Sequence, residues 1–174
     1  MLNRGNVSIA LFCLVLAFMG PAMAQPKPTE HVLMPMADGV KLATDYYLPE
    51  KGDPPYPVIL MRSTYGRTGG GIEGFLAQGY AVVVQDVRGM GMSEGEKNVF
   101  YADGWRPGLT DGADTVAWIK AQEWCNGKIG THGGSALAMT QILLAPVTKD
   151  VSAQSLDAGP SSFYHDTIYH GGVF

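Results

Sequence analysis

Lys128-Ile129-Gly130-Thr131-His132-Gly133-Gly134-Ser135-Ala136-Leu137-Ala138-Met139-Thr140-Gln141 carries a short apolar run into two glycines and then a serine. Good helix formers continue to Leu144, and Pro146, which lacks an N–H and clashes with the preceding turn, stops them. This is the layout of a nucleophile elbow, a sharp strand-to-helix turn that lifts a serine hydroxyl above a sheet. The serine of such a turn is strained, so its neighbours two before and two or three after must be small. Gly133 meets the first demand. Leu137 does not fit a strict G-x-S-x-G pattern, but Ala138 is small one place further on. Ser135 would also start a helix, whose free N–H groups and positive dipole end suit a developing oxyanion. The same letters suit a plainer object, a glycine turn with a serine N-cap.

Outward from that stretch, strands and helices alternate. His31 to Met36 reads as a strand, and Asp38-Gly39 as a hairpin turn with glycine supplying the positive φ. Val40, Leu42, Thr44 and Tyr46 then alternate with Lys41, Ala43 and Asp45, the period of a half-buried strand. Pro49 to Pro57 reads as linker. Val58-Ile59-Leu60-Met61 is continuously apolar, as a strand buried on both faces requires, and Tyr80 to Val84 is a second such run. Between them Ile72 to Gln78 suits a short helix. Asp86 to Gly95 is a loop, Asp111 to Gln122 a helix capped by Asp111, and Val151 to Leu156 a further strand. Asn126-Gly127 turns the chain into the short strand before Ser135. The order implies a mostly parallel sheet with helices on both faces, whose active site lies at the carboxyl ends of the strands. Ser135 and Tyr65 both fall at such ends.

The chain has 174 residues and a formal net charge of −4. Its start reads as a leader: Arg4, an apolar run from Ile9 to Met19, and Ala22-Met23-Ala24 as an A-x-A cleavage site. The run is too short for a comfortable membrane span. Residues 1–24 contain a single charge, Arg4, so cleavage before Gln25 takes the net charge from −4 to −5. An acidic chain without a basic block argues against a nucleic-acid partner. Cys125 is then the one remaining cysteine, so an internal disulfide is impossible. Beside Trp124 it reads as a buried apolar residue. The four histidines show no metal-ligand spacing, and no cofactor is expected. Gly89-Met90-Gly91-Met92-Ser93-Glu94 falls short of a dinucleotide fingerprint at Glu94, and Gly69-Gly70-Gly71 lacks the lysine and hydroxyl of a phosphate loop.

Taken together, these pieces resemble the α/β-hydrolase family that includes X-prolyl dipeptidyl peptidases, cocaine esterase, α-amino-acid ester hydrolases and glutaryl-cephalosporin acylases. Met34 to Leu42 is similar to its opening hairpin, and Arg62-Ser63-Thr64-Tyr65-Gly66-Arg67 to its oxyanion loop. Gln85-Asp86-Val87-Arg88-Gly89-Met90-Gly91-Met92-Ser93-Glu94-Gly95 resembles its most recognisable loop. Asp111 to Ile119 and Trp124 to Gly130 resemble the helix and turn that lead into its elbow. The chain departs at Ala136 and Ala138, where the family usually has tyrosine and glycine. The resemblance implies Ser135 as nucleophile, with the Ala136 N–H and the Tyr65 hydroxyl as oxyanion donors. It implies a small ester or peptide substrate and an exported, periplasmic or extracellular enzyme. Asp86 and Arg88 are read as a structural ion pair, Trp118 and Trp124 as core.

Division of the chain follows. Residues 1–24 are expected to be a signal peptide, 25–160 the N-terminal part of an α/β-hydrolase domain, and 161–174 the start of a helical cap. The later strands, the rest of the cap and the β-sandwich domain that the resemblance implies are not in this sequence. Nor is a comfortable place for the rest of the relay, which in this fold runs Ser, Asp/Glu, His. Asp150, Asp157, His165, Asp166 and His170 follow Ser135. Ser135, Asp157 and His170 are in the right order, but too little chain separates the last two. Two function classes follow: the nucleophile-bearing part of a secreted serine hydrolase, or a non-catalytic remnant or binding module on a hydrolase scaffold.

Overall fold

The computed structural model describes residues 26–68, 71–97 and 108–160, with Ser162, Tyr164, His165, Tyr169 and Val173 beyond them. The expected leader, Gly69, Gly70 and most of the expected cap segment lie outside the described residues. Strands β1 (Glu30–Pro35) and β2 (Lys41–Tyr47) form the opening hairpin, followed by β3 (Tyr56–Ser63), helix α1 (Ile72–Ala77) and β4 (Ala81–Asp86). Then come α2 (Asp111–Lys120), β5 (Cys125–Gly134), α3 (Ala136–Leu144) and β6 (Ala153–Asp157). The six strands form one sheet in the order β1-β2-β4-β3-β5-β6. Strands β4, β3, β5 and β6 run parallel, and the hairpin adds antiparallel at the β4 edge.

Alternation along the central strands divides the core into two layers. Val58 and Leu60 of β3, with Ala81 and Val83 of β4, meet Val116 and Ile119 of α2 and Leu144 of α3. On the other face Met61, Val82 and Val84 meet Ile72, Phe75 and Leu76 of α1. Trp118 and Trp124 pack against the first layer as expected, and Trp124 stacks on Tyr46 with ring centroids 5.1 Å apart. The helices therefore lie on both faces of a mostly parallel sheet.

Four local expectations are corrected. Strand β3 begins at Tyr56 and includes Pro57, placed earlier in a linker. Its pairing with β5 shifts between Tyr56 and Val58, where a residue without an N–H breaks no regular ladder. Strand β2 is not half-buried but covered on both faces from Leu42 to Asp45. Asp45 can lie there because it pairs with His31 and Arg67. Thr110, not Asp111, is the N-cap of α2, and Asp111 turns inward to accept two hydrogen bonds from Arg88. Asn126-Gly127 is a turn within β5 rather than before it, with the Lys128 N–H donating to Asn126 Oδ1 at 2.9 Å.

The hairpin carries a pH-sensitive bond. Tyr46 Oη donates to Glu30 Oε2 at 2.5 Å. That bond, together with burial and the negative charge of Glu30, pushes the phenol from its ordinary 10.0 up to about 12. A raised folded-state value means the contribution is complete below pH 10 and is lost as pH rises towards 12. The stability difference between wild type and Tyr46→Phe should therefore be larger at about pH 8 than at about pH 11.5, measured by urea unfolding.

Candidate active site

Strands β3 and β5 are neighbours, yet α1 leaves β3 towards one face of the sheet and α3 leaves β5 towards the other. Their carboxyl ends thus open a crevice, the place where open α/β sheets bind ligands. Ser135 sits there, between the last residue of β5 and the first of α3. Its backbone has φ 53° and ψ −119°, a conformation that costs a non-glycine residue about 1–3 kcal/mol. Ser135 is exposed, and its side chain makes no hydrogen bond to the helix. The plain N-cap reading fails on both points, since a capping serine has β-region angles and bonds an N–H one turn on.

The strain is held from all sides. Ser135 N–H donates to the Asp157 carbonyl on β6 at 3.0 Å, and the Ser135 carbonyl accepts from the Ala138 and Met139 N–H groups. Gly133 has φ 144°, and a Cβ there would lie 2.4 Å from Leu137 Cβ, so only glycine passes. Ala138 is fully buried, and a Cβ on Gly159 would reach 2.8 Å from the Ala138 methyl. The room that the turn needs at this position is thus supplied by a glycine on the far side. Gln141, 3% exposed, braces the turn: Nε2 donates to the Gly133 carbonyl at 2.9 Å while Oε1 accepts from Thr131 Oγ1 at 2.8 Å. Gln141 and Gly159 were not singled out in the sequence. The signal for Gln141 is a lone amide, beside Thr140, in a helix whose other residues are apolar, and for Gly159 there is none.

Tyr65 stands on the loop after β3, 70% exposed, with its N–H bonded to Ser63 Oγ at 3.0 Å. A cleft of about 310 Å³ is lined by Ser63 at the end of β3, by Tyr65 and Gly66 from the loop after it, and by His132, Gly133 and Leu137 around the elbow. The cleft thus joins the Tyr65 loop to the residues that flank Ser135, while Ser135 itself stands at its edge and is not one of the lining residues. Ala136 opens α3, where the first N–H groups have no intrahelical acceptor.

The other titratable groups divide. His132 faces α1, its ring 5.2 Å from that of Phe75 and its Nδ1 3.3 Å from Ser155 Oγ. Asp157 is brought opposite Gly134 by strand pairing. His165 donates its N–H to Ser162 Oγ, and its ring lies against Tyr164. Asp166 and His170 lie outside the described residues. Asp86 and Arg88 do not pair with each other, correcting the expectation. Asp86 takes Arg67, whereas Arg88 binds Asp38 at 2.8 Å and Asp111 at 2.6 Å. The glycines of their loop serve this packing: a Cβ on Gly91 would lie 2.2 Å from Asp86 Oδ2, and one on Gly89 2.5 Å from the Lys97 backbone.

This strand order and this strained serine turn at the β3–β5 crevice define an α/β-hydrolase. A profile of the X-Pro dipeptidyl-peptidase (S15 family) matches residues 38–174. The chain belongs to that family. It is 41% identical over 120 residues to the cocaine esterase of Rhodococcus sp. (strain MB1 Bresler), covering 64% of this chain and 20% of that protein. Among solved structures, an α-amino acid ester hydrolase superposes with a TM-score of 0.63 at 27% identity, over 79% of this chain and 27% of that one. A CocE/NonD family hydrolase from Staphylococcus aureus gives a TM-score of 0.61 at 26% identity, over 74% and 26%. The chain thus spans about a fifth to a quarter of the length of these relatives.

Proposed function

We propose that Ser135 is the nucleophile of a serine hydrolase that cleaves an ester or amide bond of a small substrate. The observation that carries this is an exposed serine held at φ 53°, ψ −119° between a parallel strand and a helix, its hydroxyl uncommitted to the helix. In this reading Ser135 Oγ attacks the carbonyl carbon and passes its proton to a base, and the carbonyl oxygen becomes an oxyanion. The Ala136 N–H and the Tyr65 hydroxyl donate to that oxygen. The alcohol or amine departs with a proton, and water then releases the acid. The base and its orienting carboxylate are proposed to lie in sequence following Phe174, in keeping with the greater length of the relatives.

An aryl fluorophosphonate tests the reading, applied to the protein as its gene encodes it and mapped by mass spectrometry. The expected adduct is on the peptide that contains Ser135. An adduct on another residue, or a folded protein that takes no label, would sink the proposal and favour a non-catalytic scaffold. The same reading includes export, with cleavage between Ala24 and Gln25. N-terminal sequencing of the exported protein should begin at Gln25, and a mature start at Met1 would contradict it.

A further inference from the structure

We propose that Arg67 is a positioning residue for the reaction, fixing the Tyr65 hydroxyl through the short turn that joins them. The inference rests on the reading of Tyr65 as an oxyanion donor. Tyr65 cannot fix itself, for its ring is largely in solvent, and its hydroxyl has no hydrogen-bond partner among the described residues. Its place therefore depends on the backbone that carries it. On one side that backbone is tied at Ser63, whose hydroxyl accepts the Tyr65 N–H and whose carbonyl accepts the Val87 N–H. On the other side comes Gly66 at φ 99°, and then Arg67.

Arg67 turns back into the protein, its side chain only 12% exposed. The guanidinium reaches two carboxylates on different strands. Its Nε lies 3.0 Å from Asp45 Oδ2 on β2, and its Nη1 bonds Asp86 Oδ2 at the end of β4. Both acids are committed in turn. Asp45 Oδ1 takes His31 Nδ1 from β1, and Asp86 Oδ2 takes the Met92 N–H from the next loop. The loop after β3 is thereby pinned to β2 and β4 by one planar cation, through an ion pair to Asp45 and a hydrogen bond to Asp86. A guanidinium can bridge two carboxylates in a fixed geometry, which a lysine ammonium cannot reproduce. Misplacement of a donor by about 1 Å can cost about a hundredfold in rate, so the pin bears directly on the chemistry.

Arg67 also neutralises two buried acids, and that role alone would make it structural. A double-mutant cycle separates the two roles, run with an activated aryl ester on the protein as its gene encodes it. Tyr65→Phe should lower kcat by about a hundredfold or more with little change in KM. Arg67→Lys should lower kcat about tenfold at unchanged KM, and that tenfold should vanish in the Tyr65→Phe background. The same tenfold in both backgrounds, or no effect of Arg67→Lys, overturns the inference and leaves the Tyr65 reading intact. A Tyr65→Phe variant with unaltered kcat overturns both. Where Arg67→Lys does not fold, Asp45→Asn loosens one arm of the bridge and should show the same dependence on Tyr65.

Discussion

Replacing Ser135 with alanine is expected to lower kcat for an activated aryl ester by at least about 10⁴-fold while leaving KM nearly unchanged. The hydroxyl forms the acyl bond, so its removal deletes the covalent route and leaves only the donors around the oxyanion. Alanine keeps the Cβ and therefore keeps the strain at φ 53°. Glycine should behave differently. Ser135→Gly is equally inactive but relieves a conformation that costs a side-chain-bearing residue about 1–3 kcal/mol, less about 0.5–1 kcal/mol for the freer unfolded chain. An inactive glycine variant whose unfolding midpoint exceeds that of the alanine variant would show that the turn stores strain for the site. Turnover by Ser135→Ala within tenfold of wild type would remove Ser135 from the mechanism.

The largest expected effect on stability belongs to Arg88. Its side chain is 6% exposed and bonds Asp111, which is 1% exposed, as well as the more open Asp38. Hydrogen bonds to Asp111 and Asp38 raise the guanidinium's pKa against the opposing effect of burial, so the cation is firmly held. Arg88→Met leaves Asp111 buried without a partner, a change that typically costs about 3–5 kcal/mol. For a domain of this size that corresponds to a fall in Tm of roughly 6–20 °C. Asp38→Asn is the contrasting case. Its side chain is 33% exposed, solvent screens the pair, and the loss should stay below about 1 kcal/mol. Thermal unfolding of both variants checks the contrast, and equal shifts would show that the buried arm of the pair carries no special weight.

Features written in neighbouring residues were legible in the sequence. Val58 to Met61 and Val82 to Val84 announce two-faced strands because nothing polar interrupts them. Asp38-Gly39 announces a hairpin because glycine takes φ 85° there. The placement of Ser135 followed from small residues before it and helix formers after it. Features that depend on distant partners were not legible. Asp45 reads as an outward residue until Arg67 and His31 are seen to meet it. Asp111 reads as a cap until Arg88 draws it inward. Asp86 and Arg88, two residues apart, read as one pair, but their side chains serve different partners, Arg67 for the first and Asp111 with Asp38 for the second. Charge pairing across a sheet is fixed by topology, and a local pattern of letters does not carry it.

The position of β3 also governs how the chain emerges from the ribosome. The strand is flanked by β4 and β5, and the chain makes β4 and α2 before it reaches the second of these neighbours. At about 5–20 residues per second, the stretch from Ser63 to Cys125 takes roughly 3–12 s to synthesise. Through that interval one backbone edge of an apolar strand has no partner, and β4 alone cannot close it. The nascent polypeptide is therefore expected to carry that open edge until β5 arrives. Synonymous codons that slow translation within that stretch should lengthen the exposure and lower the yield of folded protein.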